Sequence, residues 1–376
     1  MRDIDIGREY LENVTGKFLI EGTPESFGEC KNGHINSTYF VTCKDGDRQV
    51  KYVLQHINTS IFPDYQGLMD NILKVTGFLR RKYQEEGFTD YERRTLNVIF
   101  AKDGKPYFKN FDGTVWRVYD YISDATSYQT VENAAMFRKV GAAFGQFQRD
   151  LADFDAAKLV EPIKDFHNTA QRFENFRQSL EKNASGRSEN AEKEIKFVLE
   201  REELCRYIVD RIKSGKIPLR VTHNDTKLNN IMIDDKTGEG ICIIDLDTVM
   251  PGSALYDFGD SIRFGASSAA EDETELSKVF MCEEMFEAYT DGFLSTVGEY
   301  LTDDELENLP MGAIIITLET GIRFLTDYID GDIYFRTEYP EHNLDRARNQ
   351  FKLVSDMESK RGAMDAIVKK CRARRA

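Results

Sequence analysis

The sequence predicts a two-lobed α+β fold, with an antiparallel sheet lobe over residues 1–122 and a larger, mainly helical lobe over residues 123–376. Three observations carry this expectation. A chain of 376 residues exceeds what one hydrophobic core ordinarily serves, so two bodies sharing a cleft are expected. Up to Ile122, β-formers alternate and are punctuated by Asp-Gly turns. Past Ile122, apolar residues recur at steps of three and four, the helical period.

After a short N-terminal helix, residues 26–58 read as a β-hairpin: NGHINSTYFVTC, the turn KDGDR, then QVKYVLQHIN. The loop that opens it, KNGHINSTY, frees the backbone at Gly33 and offers His34, Asn36 and Ser37 as hydrogen-bond donors to an anion; an ordinary turn into a strand would use the same residues. The returning strand presents Gln55 and His56 at its end, with Lys51 on the same face as Gln55 by the period-two rule. Residues 95–122 make a three-strand meander that ends at Tyr121 and Ile122, and SDATSY links it to the helical lobe. Phe137, Val140, Phe144, Phe147, Leu151 and Phe154 then form a core-facing helical stripe. ASGRSEN is a polar loop, and AEKEIKFVLEREELCRYIVDRIKSG is a charged amphipathic helix closed by Gly215.

The richest chemistry lies in VTHNDTKLNNIMIDDKTGEGICIIDLD, residues 221–247. His223, Asp225 and Asn230 fit HxDxxxxN, the pattern of protein-kinase-like phosphotransferases, in which the Asp meets a substrate hydroxyl and the Asn holds a metal. The apolar run ending at Ile244 delivers Asp245 as a second metal-ligand candidate. A carboxylate and an amide oxygen suit magnesium, a hard cation whose remaining ligands are water and phosphate oxygens. Asp225 is the candidate base, and Lys227 could add positive charge near the transferred phosphoryl group. His223 reads as a buried scaffold residue. In a protein-kinase-like fold the loop at His34 and Asn36 would cover the phosphates of ATP, and backbone groups at Tyr121 and Ile122 would hold the adenine. Gln55 falls where such a fold carries a strand lysine, so either Gln55 contacts phosphate or another cation reaches in.

Two further segments are informative. In PGSALYDFGDSIRFGA, Asp257 or Asp260 could accept backbone amides of the catalytic segment, or cap a helix. In GAIIITLETGIRFLTDYIDGDIYF, Glu319, Arg323 and Asp327 stand at i, i+4 and i+8 on an apolar helix. They form either an ion-pair ladder or a pocket wall in which Arg323 and Tyr334 meet a polar ligand.

Taken together, GHINSTYF, INTSIFPD, VTHNDTKLNNIMID, IIDLDTVMPGSALYDFGDSIRFGAS and GIRFLTDYIDGDIYF with YPEHNL resemble the N-acetylhexosamine 1-kinases of the aminoglycoside phosphotransferase and choline kinase superfamily, over nearly the whole chain. The resemblance implies a bilobal protein-kinase-like fold and transfer of the γ-phosphoryl of ATP to the anomeric hydroxyl of N-acetylglucosamine or N-acetylgalactosamine. It implies Asp225 as base, Asn230 and Asp245 as magnesium ligands, and Thr248, Arg323 and Tyr334, with Asp225, as sugar-binding residues. Another acceptor of the same fold class (an aminoglycoside, choline, homoserine or other hexose) and a non-catalytic sugar or nucleotide sensor are the alternatives.

Composition narrows the partners. A net charge of −15 argues against nucleic acid or an anionic membrane surface. The six cysteines show no metal-type spacing and read as free thiols. MRDIDIGREYLENV lacks the basic start and apolar stretch of a leader, and no apolar run approaches transmembrane length, so a cytoplasmic protein is the expectation, and a monomer, since closing a cleft needs no second subunit.

Overall fold

The computed structural model describes residues 6–30 and 35–375, so Gly33 and His34 of the expected phosphate loop lie outside the described residues. The N-terminal lobe begins with helix α1 (Arg8–Thr15) and continues into an antiparallel sheet of β1 (Thr23–Cys30), β2 (Ser37–Asp45), β3 (Arg48–Ile57), β4 (Val98–Ile99), β5 (Phe108–Lys109) and β6 (Val115–Asp120). The strand order is β1-β2-β3-β6-β4, with β5 also on β6. Two expectations change. The hairpin read over residues 26–58 is preceded by a separate strand, β1, which pairs with β2 on the edge opposite β3. The meander of residues 95–122 is not a meander: β4 pairs with Val118 and Tyr119, β5 pairs with Val115 and Trp116, and both share the edge of β6 that β3 leaves free. The cause is competition for hydrogen bonds. Leu19 N–H donates to Phe100 and Lys102 N–H to Lys17, so the segment after α1 claims the backbone between the two short strands.

Period-two alternation divides the sheet into two faces. Tyr52, Leu54, Trp116 and Val118 pack under α1 with Leu11, Val14 and Phe18. Ile57, Val115 and Tyr119 face helix α2 (Tyr65–Glu85), whose Leu68, Ile72, Val75 and Leu79 form its buried stripe, and join the core of the second lobe. Gln55 and Arg117, opposite each other in the register, therefore point toward the cleft side.

The second lobe is built from β7 (Ala125–Thr126), α3 (Ala134–Asp150), α4 (Thr169–Lys182), α5 (Glu192–Leu199), α6 (Glu202–Lys213), β8 (Arg220–Thr222), β9 (Ile231–Asp234), β10 (Gly240–Ile243), β11 (Met250–Gly252), α7 (Ala254–Gly265), α8 (Glu283–Val297), α9 (Asp303–Asp330), α10 (His342–Ser359) and α11 (Arg361–Ala373). The stripe of Phe137, Val140, Phe144 and Phe147 is buried on α3 as its spacing predicts. The single charged helix expected up to Gly215 is instead α5 and α6, broken at Arg201, whose guanidinium stacks on Phe197 and pairs with Glu358 at 2.9 Å.

Helix α9 starts at a capping box formed by Thr302 and Glu305 and stops at Gly331, which adopts φ 101°. Contrary to the expectation from sequence, it is long and apolar enough to span a membrane by composition, but 89% of that stretch is buried among the other helices. Glycine lets α7 and α9 cross at backbone contact: a Cβ on Gly259 would lie 2.5 Å from the Gly312 carbonyl oxygen.

Because that neighbour is backbone, Gly259→Ala should force the two helices apart. The expected loss is about 1–3 kcal/mol, less at most about 1 kcal/mol returned by helix propensity. Gly77→Ala on α2 meets nothing closer than the Arg81 guanidinium at 3.7 Å and should hold or raise stability. Urea midpoints of the two variants check the contrast.

Candidate active site

The segment from Thr222 to Thr226 is buried yet has no regular ladder past β8, so its backbone groups must find side chains. Helix α7 supplies them. The Asp257 carboxylate accepts the amides of His223 (2.9 Å) and Asn224 (2.7 Å), and Asp260 accepts that of Thr226 (3.0 Å). Gln148 donates to Asp257 from α3, and burial still raises that carboxyl above its ordinary range. The helix cap is Ser253, whose side chain accepts from Leu255, so both aspartates serve the loop and not the helix end. His223 is the scaffold its composition suggested, with Nε2 on the Ile244 carbonyl at 2.9 Å.

This brings Asp225, Lys227, Asn230 and Asp245 to one place. Lys227 Nζ lies 2.9 Å from Asp225 Oδ1, while Asn230 Nδ2 donates to the Asp225 carbonyl (2.8 Å) and carboxylate (3.0 Å). Burial pushes the Asp225 carboxyl up, but the Lys227 ammonium and these hydrogen bonds outweigh it and hold the group below its usual range. Since the Asn230 amide nitrogen faces Asp225, its oxygen is free to meet a cation. Ile244 N–H bonds the Asn230 carbonyl at 2.9 Å, which fixes Asp245 beside it. Asp245 adopts φ 58°, an uncommon conformation for a non-glycine residue. Crowding by protein, then the charges of Asp247 and Asp225, lift its carboxyl to about 7, and no described residue hydrogen-bonds it. The side chain opens to solvent in the cleft, where water screens part of that effect. An uncompensated carboxylate beside a free amide oxygen fits a hard divalent cation.

The nucleotide side departs from expectation. Asn36 is held by protein on both sides of its amide: its Nδ2 donates to Asp247 Oδ2 at 2.6 Å and its Oδ1 accepts the Asn58 amide at 3.0 Å. Gln55 is likewise committed, to Thr38 Oγ1 (3.0 Å) and Arg117 Nε (3.0 Å). The cation beside Gln55 is Arg117, wholly buried on β6, with Nη1 2.5 Å from Asp247 Oδ1. A buried carboxylate requires such donors, and Asp247 collects both Arg117 and Asn36. Arg117 was missed because its sole signal was a basic residue within the apolar strand VWRVYD, some sixty residues further along the chain than the strand where a lysine was sought, although the sheet sets the two strands side by side. At the lobe junction Tyr121 N–H is taken by the Lys51 carbonyl at 3.2 Å, which leaves the Tyr121 carbonyl and the Ile122 backbone for a ligand.

On the opposite wall, the ladder reading of α9 gives way. Glu319 bonds His167 Nδ1 (2.8 Å) and Thr169 Oγ1 (2.5 Å), and Asp327 accepts the amides of Ile333, Tyr334 and Phe335. Arg323 pairs with neither; it lies over the rings of Phe166, Tyr334 and Phe335 at 5.4–5.9 Å. His167, unremarked in the sequence, links Glu319 to the loop, its Nε2 lying 3.2 Å from the Asn224 carbonyl next to Asp225. Thr248 spends its hydroxyl proton on the His223 carbonyl at 2.6 Å, so toward any sugar it can only accept.

The sequence profile described as the phosphotransferase enzyme family matches residues 27–279. The chain belongs to that family. Solved structures agree on the fold. A spectinomycin phosphotransferase, crystallised with ADP and spectinomycin, superposes with a TM-score of 0.56 at 11% identity, covering 94% of this chain and 98% of its own. A choline kinase from Cryptosporidium parvum Iowa II gives 0.54 at 14%, covering 89% of each chain. A Plasmodium vivax ethanolamine kinase gives 0.51 at 16%, covering 86% of this chain and 82% of its own. The bilobal α+β architecture is thus that of small-molecule kinases.

Arg117→Met should strand the Asp247 carboxylate in the interior and lower stability by roughly 3–5 kcal/mol. The double variant Arg117→Met/Asp247→Leu should regain most of it. A double variant as unstable as the single one, by urea denaturation, would show that the pair does not behave as a unit.

Proposed function

We propose that this phosphotransferase moves the γ-phosphoryl of ATP to the C1 hydroxyl of N-acetylglucosamine or N-acetylgalactosamine. The observation that carries the reading is Arg323: a guanidinium with no acidic partner among the described residues, flanked by Tyr334, on the wall that His167 ties to the Asp225 loop. A polar, uncharged acceptor with several oxygens suits such a wall, and a cation does not. The lobes divide at residues 122 and 123, the ATP lying between them.

In the reaction, Asp225 orients the acceptor hydroxyl and takes its proton as the oxygen–phosphorus bond forms and the bond to the β-phosphate bridging oxygen breaks, releasing ADP. The depressed carboxyl keeps Asp225 ionised for that task. Lys227, beside it, offsets charge on the phosphoryl group. Asn230 and Asp245 would hold magnesium, which when bound supplies countercharge for the phosphate oxygens. Arg117 takes the place of the strand lysine near the phosphates, with Gln55 and Asn36 positioning Arg117 and Asp247 and not meeting the nucleotide themselves. The Tyr121 carbonyl and Ile122 backbone frame the adenine. Arg323 and Tyr334 contact the sugar, and Thr248 contributes by fixing the His223 carbonyl.

The test is magnesium-dependent ADP release against N-acetylglucosamine, N-acetylgalactosamine, glucose, galactose, choline, homoserine and kanamycin. Selective turnover of the two acetylated sugars, with the product phosphate on C1 by NMR, is expected. Turnover confined to another acceptor would overturn the sugar assignment and leave the kinase. Asp225→Asn should lower kcat by orders of magnitude with ATP binding intact, because base and alignment are lost together; near-normal turnover would remove Asp225 from its role.

A further inference from the structure

Arg323 is not alone on its wall. Arg172, on α4, donates through Nη2 to the Phe166 carbonyl at 3.0 Å, while the Phe166 ring lies under the Arg323 guanidinium at 5.9 Å. The two guanidiniums therefore meet at one residue. Arg172 Nε is buried and has no hydrogen-bond partner, and among the described residues neither arginine forms an ion pair. Acidic residues outnumber basic ones by 65 to 50, and the two buried arginines among the described residues, Arg117 and Arg263, each hold a carboxylate, whereas the half-buried Arg172 and Arg323 do not. The acid that acts most strongly on Arg172, Glu319, is already hydrogen-bonded to His167 and Thr169. Burial, and then the charge of Arg323, lower the Arg172 pKa, and Glu319, Tyr334 and Asp165 offset them only in part. The next residue after Phe166 is His167, bonded to the Asn224 carbonyl, so the pair stands on the acceptor side of Asp225.

Two adjacent, unpaired cations with an unsatisfied buried donor are a destabilised arrangement until oxygen acceptors arrive. We propose that Arg172 joins Arg323 in a two-guanidinium subsite that binds an oxygen-bearing substituent of the acceptor, an acyl carbonyl or a carboxylate, and that rejects a protonated amine at the same position. Arg172 is thus a specificity-determining residue. The proposal rests on the sugar-acceptor reading of the site, and it adds that charge, not ring shape, is what this wall selects.

The test compares N-acetylglucosamine with glucosamine, which share a ring and differ in a neutral acyl group against a protonated amine, at a pH below the amine's own titration. The unmodified protein should favour the acetylated sugar in kcat/KM, and Arg172→Met should cut that preference about tenfold or more, the usual loss for a charged hydrogen bond, with the KM for ATP unchanged. Arg172→Lys, which keeps charge but loses the planar fork, should fall between. Equal turnover of both sugars by the unmodified protein, or an unaltered ratio in a folded Arg172→Met, would overturn the subsite. If neither sugar is turned over, the sugar assignment fails by itself, and the subsite is read from thermal shift: stabilisation by sodium glucuronate that disappears in Arg172→Met/Arg323→Met keeps it, while no stabilisation by glucuronate, or stabilisation by choline instead, overturns it.

Discussion

The structure depends on one constraint: a polar, irregular stretch of backbone, residues 222–226, is buried at the centre of the molecule and cannot satisfy itself. Strands and helices close their own hydrogen bonds; this segment relies on Asp257, Asp260, His167 and the ends of β8 and β11. Each of those partners must itself be held. Asp257 and Asp260 are placed by α7, which reaches them only because Gly259 and Gly312 let α7 and α9 touch backbone to backbone. His167 is placed by Glu319, deep in α9. The long apolar helix is therefore less a wall than a mounting for the loop that carries Asp225.

The same logic joins the lobes. Asp247, two residues past Asp245, is buried and takes Arg117 from the sheet and Asn36 from the end of the loop before β2. A carboxylate withdrawn from water holds its donors firmly, since losing either leaves a charge in a medium that cannot solvate it. One carboxylate thus couples the cleft face of the sheet to the hairpin that carries Asn230 and Asp245. Where Asp247 collects Arg117 and Asn36 as donors, Asp245 has none among the described residues, and the contrast between two aspartates two residues apart separates a structural carboxylate from one left open to a ligand.

Much of this was legible in the chain. Spacing placed Asp225, Asn230 and Asp245 on one hairpin, because a short β-hairpin leaves its flanking residues adjacent whatever surrounds it. The apolar period placed α3 and the core face of α9 for a similarly local reason. The double pairing of β6, the break between α5 and α6, and the partners of Gln55, Asn36 and Glu319 were not legible, since each is settled by a competitor distant in sequence: the segment after α1, Glu358, Arg117, Asp247 and His167.

By itself, then, the sequence determined the lobed α+β plan, the hairpin that gathers Asn230 and Asp245 beside Asp225, and membership of a phosphotransferase family, because these arise from periodicity and from groups only a few residues apart. Only the tertiary structure decided which charges are spent and which are free. Arg117 and Arg323 look alike in the chain, each a basic residue in an apolar run, yet one is neutralised by Asp247 and the other, near Arg172, has no counter-ion among the described residues. A charge's role depends on what surrounds it within a few ångströms, and for a buried side chain those neighbours come from elements a hundred residues away.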